Sequence, residues 1–256
     1  RFNKINIVSL CGKKLNKTKK IAKLEKIPTY YIDWKKMINN EKIDLLLIAT
    51  LPSIQFKILN FIKNKKKIKF LFIEKPVADN LKNIKKIMNI LSRKRNLIVD
   101  FLFLEIDLFK KFEKIFKSKK NQFDKIYLNW SFNAYHFKNK ISTWKTDLLK
   151  GGSYQFYLVH NMHYFIKFFG NINNIYSIIK NRQKTKLSFK GILEDGKKFH
   201  INFNCNYKGK NLHYLEASSK NNYLKLYNKS KNHVNGFNLK YKIDNKFAFL
   251  RQKKCF

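Results

Sequence analysis

Two groups of residues in this 256-residue chain have types and spacing suited to chemistry. Glu74-Lys75-Pro76 closes the apolar run Ile68 to Ile73, so an ionisable pair stands at the end of a segment that reads as a buried strand. Open α/β sheets collect their ligands at such strand ends. A lysine near its reference pKa of about 10.4 is a poor base at neutral pH but a good hydrogen-bond donor, suited to polarising an oxygen and relaying a proton. The second group centres on His160, which follows the turn-forming pair Gly151-Gly152 in a segment where Leu158, Met162, Phe165 and Phe169 make one apolar helical face. An imidazole with an unperturbed pKa of about 6.5 exchanges protons at neutral pH. His163 lies three residues further on. Paired histidines at that spacing, with no cysteine or acid as a third ligand, make poor evidence for a metal site, and no metal is expected. Trp144, Lys145, Asp147 and His163 are the candidate substrate residues, with Tyr135 and His136 as further ones; by themselves they indicate only a polar ligand.

The elements that must position these groups follow from apolar periodicity. Ile43 to Thr50 has the continuous apolar character of a parallel strand covered on both faces, and it stops at Leu51-Pro52-Ser53. A helix is predicted from there, capped by Ser53, with Ile54, Ile58, Phe61 and Ile62 on one face before the lysine-rich stretch from Lys63 to Lys67. The strand Ile68 to Ile73 comes next, then a helix from Asn80 to Leu91 with Leu81, Ile84, Ile87, Met88 and Leu91 as its stripe, then a strand from Leu97 to Phe101. Strand and helix alternating at this spacing imply right-handed parallel crossovers. After an amphipathic helix carrying Leu108, Phe109, Phe112, Ile115 and Phe116, the period changes from helical to alternating. Strands are predicted at 125–132, 175–179, 186–193, 198–207, 213–218, 223–227 and 237–243, with Glu194-Asp195-Gly196 as one of the turns. That succession implies a mostly antiparallel sheet.

The order Ile48-Ala49-Thr50-Leu51-Pro52, Glu74-Lys75-Pro76, Trp144-Lys145-Thr146-Asp147, Gly151-Gly152 and His160 resembles the Gfo/Idh/MocA family of oxidoreductases over most of the chain. Ile7 to Cys11, Ile27 to Tyr30 and Trp34 to Ile38 are similar to the second strand and following helix of that family's dinucleotide domain. No G-x-G-x-x-G occurs, and the chain begins at Arg1, so the first strand and its Gly-rich phosphate turn are expected to lie upstream of a fragment. The fold implied is an α/β Rossmann-type parallel-sheet domain, N-terminally incomplete, over 1–104. An α+β domain with a mostly antiparallel open sheet, carrying the substrate side and often an oligomer interface, follows over 105–256.

The resemblance also implies an activity: NAD(P)-dependent hydride transfer at a hydroxyl or carbonyl carbon of a sugar, cyclitol or related polyol. Lys75 would reach the reacting oxygen beside the nicotinamide, Glu74 the cofactor ribose, and Pro76 would hold the turn, often through a cis bond. His160 would be the general acid/base. Thr50, Leu51 and Pro52 fall among the cofactor-binding positions, as do Gly12, Lys13 and Lys14 at the end of the first strand present. NAD-preferring folds keep an acid there for the ribose 2′-hydroxyl; Gly12 followed by two lysines favours NADP over NAD. One departure bears on specificity, because many members carry acids before and after the histidine where this chain has Phe156, Tyr157 and His163.

Composition sets the rival readings. Fifty-six Lys+Arg against sixteen Asp+Glu give a formal net charge of +40, which taken alone points to a polyanion partner. Arginine, the residue of bidentate phosphate and guanine contacts, occurs only as Arg1, Arg93, Arg95, Arg182 and Arg251, and the lysines spread along every segment. No specific nucleic-acid function is expected, although non-specific binding at low salt is. Cys11, Cys205 and Cys255 are odd in number and far apart, which suggests a reducing, cytoplasmic setting without a disulfide framework. Charged and polar residues interrupt every greasy window, so no membrane span is expected. The partners expected are a small polyol or sugar substrate and further copies of the chain in a homo-oligomer. A non-catalytic sensor or scaffold retaining the fold is the alternative function.

Overall fold

The computed structural model describes residues 5–92, 96–147, 152–230 and 235–243. Gly151, Cys255 and the side chain of Leu91 fall outside it. The chain divides into two compact units, Arg1–Asp100 and Phe101–Phe256.

The first unit alternates strand and helix throughout. It runs β1 (Ser9–Cys11), α1 (Leu15–Leu24), β2 (Thr29–Tyr31), α2 (Trp34–Asn40), β3 (Leu45–Ile48), α3 (Pro52–Ile62), β4 (Phe70–Glu74), α4 (Leu81–Leu91) and β5 (Leu97–Asp100). β1 and β2 form a parallel pair, and β3, β4 and β5 form a parallel sheet in that order. Leu46, Ile48, Leu71 and Ile73 point to one side and bury against Ile58, Leu59 and Ile62 of α3 and Ile87 of α4. α1 occupies a lysine-rich stretch in which no element was expected, and it buries only Thr18 and Ala22.

Two sequence expectations need correction here. β3 is not covered on both faces by the described residues: Leu46 and Ile48 are buried while Leu45 and Leu47 are exposed. An unbroken apolar run does not reveal how many of its faces are packed. Ser53 does not cap α3 either. Leu51 holds the N-cap position without a side-chain hydrogen bond and Pro52 follows inside the first turn, where its fixed φ suits a helix and its missing N–H is no loss. The cap of α4 is as its sequence suggests, with the Asn80 side chain accepting from the Asn83 N–H at 2.9 Å.

The second unit is an open sheet with helices on one face. α5 (Asp107–Ser118) precedes β6 (Lys125–Ser131) and the short α6 (Tyr135–Lys138). A π-helical turn, Tyr154–Leu158, then leads into α7 (Val159–Phe169). Six strands complete the sheet: β7 (Ile172–Lys180), β8 (Lys186–Leu193), β9 (Lys198–Asn204), β10 (Leu212–Ser218), β11 (Tyr223–Asn228) and β12 (Asn238–Lys242). Their order is β12-β11-β10-β6-β9-β8-β7, and β6 with β9 is the one parallel pair in an otherwise antiparallel ladder. Strict alternation along β9, β10 and β11 sends every second residue into the core.

Aromatic rings fill that core. Phe109, Phe112 and Phe116 of α5 meet Tyr164, Phe165, Phe168 and Phe169 of α7, with ring centroids 4.7 to 6.4 Å apart among the contacting pairs. The buried face of α7 therefore runs through Asn161, Tyr164, Phe165, Phe168 and Phe169; Leu158, Phe165 and Phe169 are buried as expected, but Met162 is only partly so. Regular spacing within α7 centres that face on Phe165 and Phe168 and leaves Met162 at its edge.

Gly191 marks the tightest point of the sheet. β7 shifts register on both sides of its pairing with β8, between Ile172 and Asn174 and between Ile175 and Ser177, and this brings the Asn174 carbonyl over Gly191. A Cβ at Gly191 would lie 2.1 Å from that carbonyl oxygen and 2.6 Å from Phe199 Cζ. Gly191→Ala should therefore lower stability by about 1–3 kcal/mol, seen as a lower urea midpoint at unchanged slope.

Candidate functional site

In the first unit, the candidate residues gather at the C-terminal ends of three parallel strands. Thr50-Leu51-Pro52 follows β3, Glu74 ends β4 with Lys75-Pro76 directly after it, and Asp100 ends β5. The side chain of Gln55, one turn into α3, donates to the Thr50 carbonyl at 2.9 Å and ties that loop to the helix. The Lys75–Pro76 peptide is cis.

Lys75 differs from almost every other lysine of the chain. Among the described lysines only Lys75 and Lys197 are buried, each 8 % exposed. Lys197 is ion-paired with Asp195 at 2.8 Å, in a turn of the second unit. Lys75 is held at the mouth of the sheet beside two carboxylates. Glu74 and Asp100 are register partners on β4 and β5. Burial, then the neighbouring Asp100 charge, push the Glu74 pKa upward, and the Lys75 charge offsets part of that rise. Asp100 was not among the residues picked from sequence. The signal was present, since it ends its strand as Glu74 ends the preceding one, but register decides which strand ends are neighbours.

Gly12 follows β1, with its N–H bonded to the Tyr31 carbonyl at 3.0 Å. A Cβ there would meet Thr18 Oγ1 at 2.3 Å, and the Thr18 side chain is buried. Any side chain at position 12 would require the Thr18 hydroxyl, which donates to the Lys14 carbonyl at 2.9 Å, to move. Lys13 and Lys14 stand exposed immediately beyond.

The second unit presents another constellation. His160 lies edge-on to Phe103 and Phe101, at centroid distances of 5.5 and 6.2 Å. His163 stacks flat on Phe101 at 3.6 Å; burial, then the Lys167 charge, lower its pKa. A neutral ring is thereby favoured at neutral pH. Phe103 packs on Trp130, and Trp130 on Tyr157, so rings link the histidine pair to the π-helical turn. Tyr157 Oη lies 3.2 Å from His136 Nδ1. Burial, then the Lys145 charge, lower the His136 pKa, and burial raises that of Tyr157. Lys145 Nζ sits 3.9 Å from the centroid of Phe156, whose ring also meets Trp144 at 5.3 Å. Asp147 closes the same turn through its N–H to the Thr143 carbonyl. Tyr135 is exposed. Among the described residues no group of three His, Cys, Asp or Glu is placed to hold a metal ion. No described helix is long and apolar enough to cross a membrane. Cys11 and Cys205 are free thiols, and burial pushes the Cys205 pKa up to about 11.

Comparison with known proteins bears on both units. Residues 1–101 match the GFO_IDH_MocA family model, described as an oxidoreductase family with an NAD-binding Rossmann fold. Sequence comparison with the curated proteins finds no match. Among solved structures, an oxidoreductase from Desulfitobacterium hafniense described as NADPH-dependent superimposes with a TM-score of 0.78 at 13 % identity, covering 93 % of this chain and 72 % of that one. The WlbA dehydrogenase from Bordetella pertussis, in complex with NADH and UDP-GlcNAcA, gives 0.78 at 12 % identity over 94 % and 74 %. Myo-inositol 2-dehydrogenase from Lactobacillus plantarum gives 0.72 at 15 % identity over 87 % and 69 %. At these identities the likeness establishes the fold.

The raised Glu74 pKa has a consequence for stability. Folding holds the Glu74 proton more tightly than the unfolded chain does, so ionising it costs stability as pH rises through the folded-state value. Glu74→Gln should unfold at higher denaturant than the parent at pH 7, and the difference should vanish below the ordinary value of 4.5, where both side chains are neutral. Denaturant titrations at pH 4 and pH 7 read this directly.

Proposed function

We propose that this chain, whose residues 1–101 match the Gfo/Idh/MocA oxidoreductase family model, moves a hydride between a nicotinamide cofactor and a hydroxyl or carbonyl carbon of a sugar, cyclitol or related polyol. The observation that carries this reading is Lys75, a buried lysine placed directly after β4 and next to a carboxylate pair. The fold likenesses agree with it, since the relatives named include an inositol dehydrogenase and an enzyme captured with a nucleotide sugar.

The residues present fit such a cofactor at its ribose and nicotinamide ends. Gly12 leaves room that a Cβ would fill, and Thr50-Leu51-Pro52 and Glu74-Lys75-Pro76 line the strand ends. When bound, the nicotinamide supplies or accepts the hydride. Lys75 Nζ donates a hydrogen bond to the reacting oxygen and draws electron density from its carbon. Glu74 accepts from a ribose hydroxyl. In the second unit His160, its ring flanked edge-on by Phe101 and Phe103, is the group suited to exchange a substrate proton. Trp144, Lys145, Asp147 and His163 hold the substrate.

NADP is the preferred cofactor in this proposal. Among the solved structures one is described as NADPH-dependent and four are complexes with NADH, so the preference for NADP rests on the residues of this chain alone. Position 12 carries no acid that would bind a 2′-hydroxyl, and two exposed lysines follow it.

Titrating NADPH and NADH into the full-length protein, followed by fluorescence, tests the reading. Micromolar NADPH binding, weaker for NADH, is expected. Lys75→Ala should lower kcat by about 10²- to 10⁴-fold on a polyol substrate while the protein stays folded. Binding of neither cofactor would overturn the oxidoreductase reading and leave a scaffold that has kept the fold.

A further inference from the structure

From the cavity lined by β10, β11, β12 and the turn between β10 and β11, we infer that the second unit binds a small anion carrying two or more phosphate groups. The site is made wholly of second-unit residues, and the inference is independent of the oxidoreductase reading.

Sheet register assembles the site. Glu216 of β10 pairs with Lys225 of β11, and Lys225 pairs in turn with Lys240 of β12. In the next row Ser218 pairs with Tyr223, and Tyr223 with Lys242. Residues two apart on a strand share a face, so Lys225, Lys240, Lys242 and Tyr223 project together. Leu215, Ala217, Leu224 and Leu226 point the other way, into the core. The turn 219–222 adds Lys220, and it is held by the Ser219 N–H donating to the Asn222 carbonyl at 2.9 Å. These residues line a cavity of about 960 Å³.

Charge names the ligand class. Lys225 and Lys240 stand directly opposite each other, and like charges so placed destabilise a sheet. The one acid in the lining, Glu216, is engaged: it accepts from the Tyr214 hydroxyl and lies 3.7 Å from Lys225 Nζ. Lys220, Lys240 and Lys242 form no ion pair with a described carboxylate. Lys240 Nζ rests 5.9 Å from the centre of the Tyr227 ring. The general lysine excess does not account for this, since residues 217–256 hold ten Lys+Arg against the single acid Asp244, where the whole chain holds 56 against 16.

Three lysines without a carboxylate partner match a ligand of about three negative charges or more. A carboxylate supplies one and a phosphate group about 1.5 to 2, so two phosphates balance the set. No arginine lines the cavity, which removes the planar fork suited to a carboxylate, whereas lysine binds phosphate as a point charge. The Ser219 hydroxyl oxygen accepts from the Asn222 N–H at 3.3 Å and keeps its own proton to donate. Tyr223, 39 % exposed, offers a flat ring to an organic base. A bound polyanion also offsets the repulsion between Lys225 and Lys240, so binding stabilises the fold.

Isothermal titration calorimetry at physiological salt with tripolyphosphate, orthophosphate, ATP and a thymidine decamer tests the inference. Tripolyphosphate should bind tenfold or more tightly than orthophosphate and raise the thermal midpoint. Lys220→Gln, Lys240→Gln and Lys242→Gln combined should weaken it tenfold or more. Lys82→Gln, Lys85→Gln and Lys86→Gln combined remove the same charge from exposed positions of α4, and Lys13→Gln with Lys14→Gln alters the turn after β1; each set should leave the affinity within twofold. Lys240→Gln alone should unfold no lower than the parent without ligand and gain less from tripolyphosphate, which separates loss of binding from loss of fold. ATP bound more tightly than tripolyphosphate identifies a nucleotide, and equal or weaker binding identifies the phosphate chain; both fit the inference. Equal affinity for tripolyphosphate and orthophosphate, no binding of either, or a loss in either control as large as in the site variant would overturn it. So would a decamer that binds more tightly than tripolyphosphate through the same three lysines, because the face would then be a nucleic-acid surface. No arm uses a nicotinamide cofactor, so failure here leaves the oxidoreductase reading untouched.

Discussion

A chain with a formal charge of +40 folds only if the free energy of burying apolar surface exceeds the repulsion among its lysines. The two units meet that constraint differently. In the second, α5 and α7 set phenylalanine against phenylalanine over one face of the seven-stranded sheet, with Phe109, Phe112, Tyr164 and Phe165 all but inaccessible. Each such ring removes about 150–250 Å² from water and gains further from edge-to-face packing. The first unit relies on aliphatic side chains between a short parallel sheet and helices α3 and α4. In both, most lysines are at the surface, and among the described residues Lys75 and Lys197 are the buried exceptions.

Burial of a lysine has a cost unless something opposes its charge. At the end of β4 the Lys75 charge favours an ionised Glu74, while burial and the charge of Asp100 on the neighbouring strand end oppose it. Parallel pairing is what brings these groups together, because strands that run the same way end on the same side, and in-register partners there become neighbours. Strand ends so arranged are also the place where a ligand can reach polar groups without breaking the sheet.

The second unit builds its polar groups on irregular backbone. The turn after α6, the π-helical segment and the start of α7 carry Lys145, Tyr157 and His160, while the regular strands beneath them carry the rings that hold those side chains in place. Phe156 and Tyr157 of the π-helical turn pack on each other at 4.6 Å, and Tyr157 packs on Phe132 at 5.2 Å, so this part of the second unit has aromatic walls.

Much of the architecture was legible in the sequence. The strand that ends in Glu74-Lys75-Pro76, the amphipathic periodicity of α4 and α5 and the alternation along β8 to β11 each depend on neighbours a few residues away, and local pattern is enough to read them. The family resemblance likewise rests on short motifs in a fixed order. Tertiary structure decided what pattern cannot carry. It left one face of β3 uncovered by the described residues, where the apolar run had suggested two covered ones, and it set the buried face of α7 around Phe165 and Phe168 with Met162 at its edge. Asp100 became the partner of Glu74 through sheet register, and His136 the partner of Tyr157 across 21 residues of chain. Residue type and local period determine which side chains can do chemistry, but only the folded backbone sets the distances between groups remote in sequence.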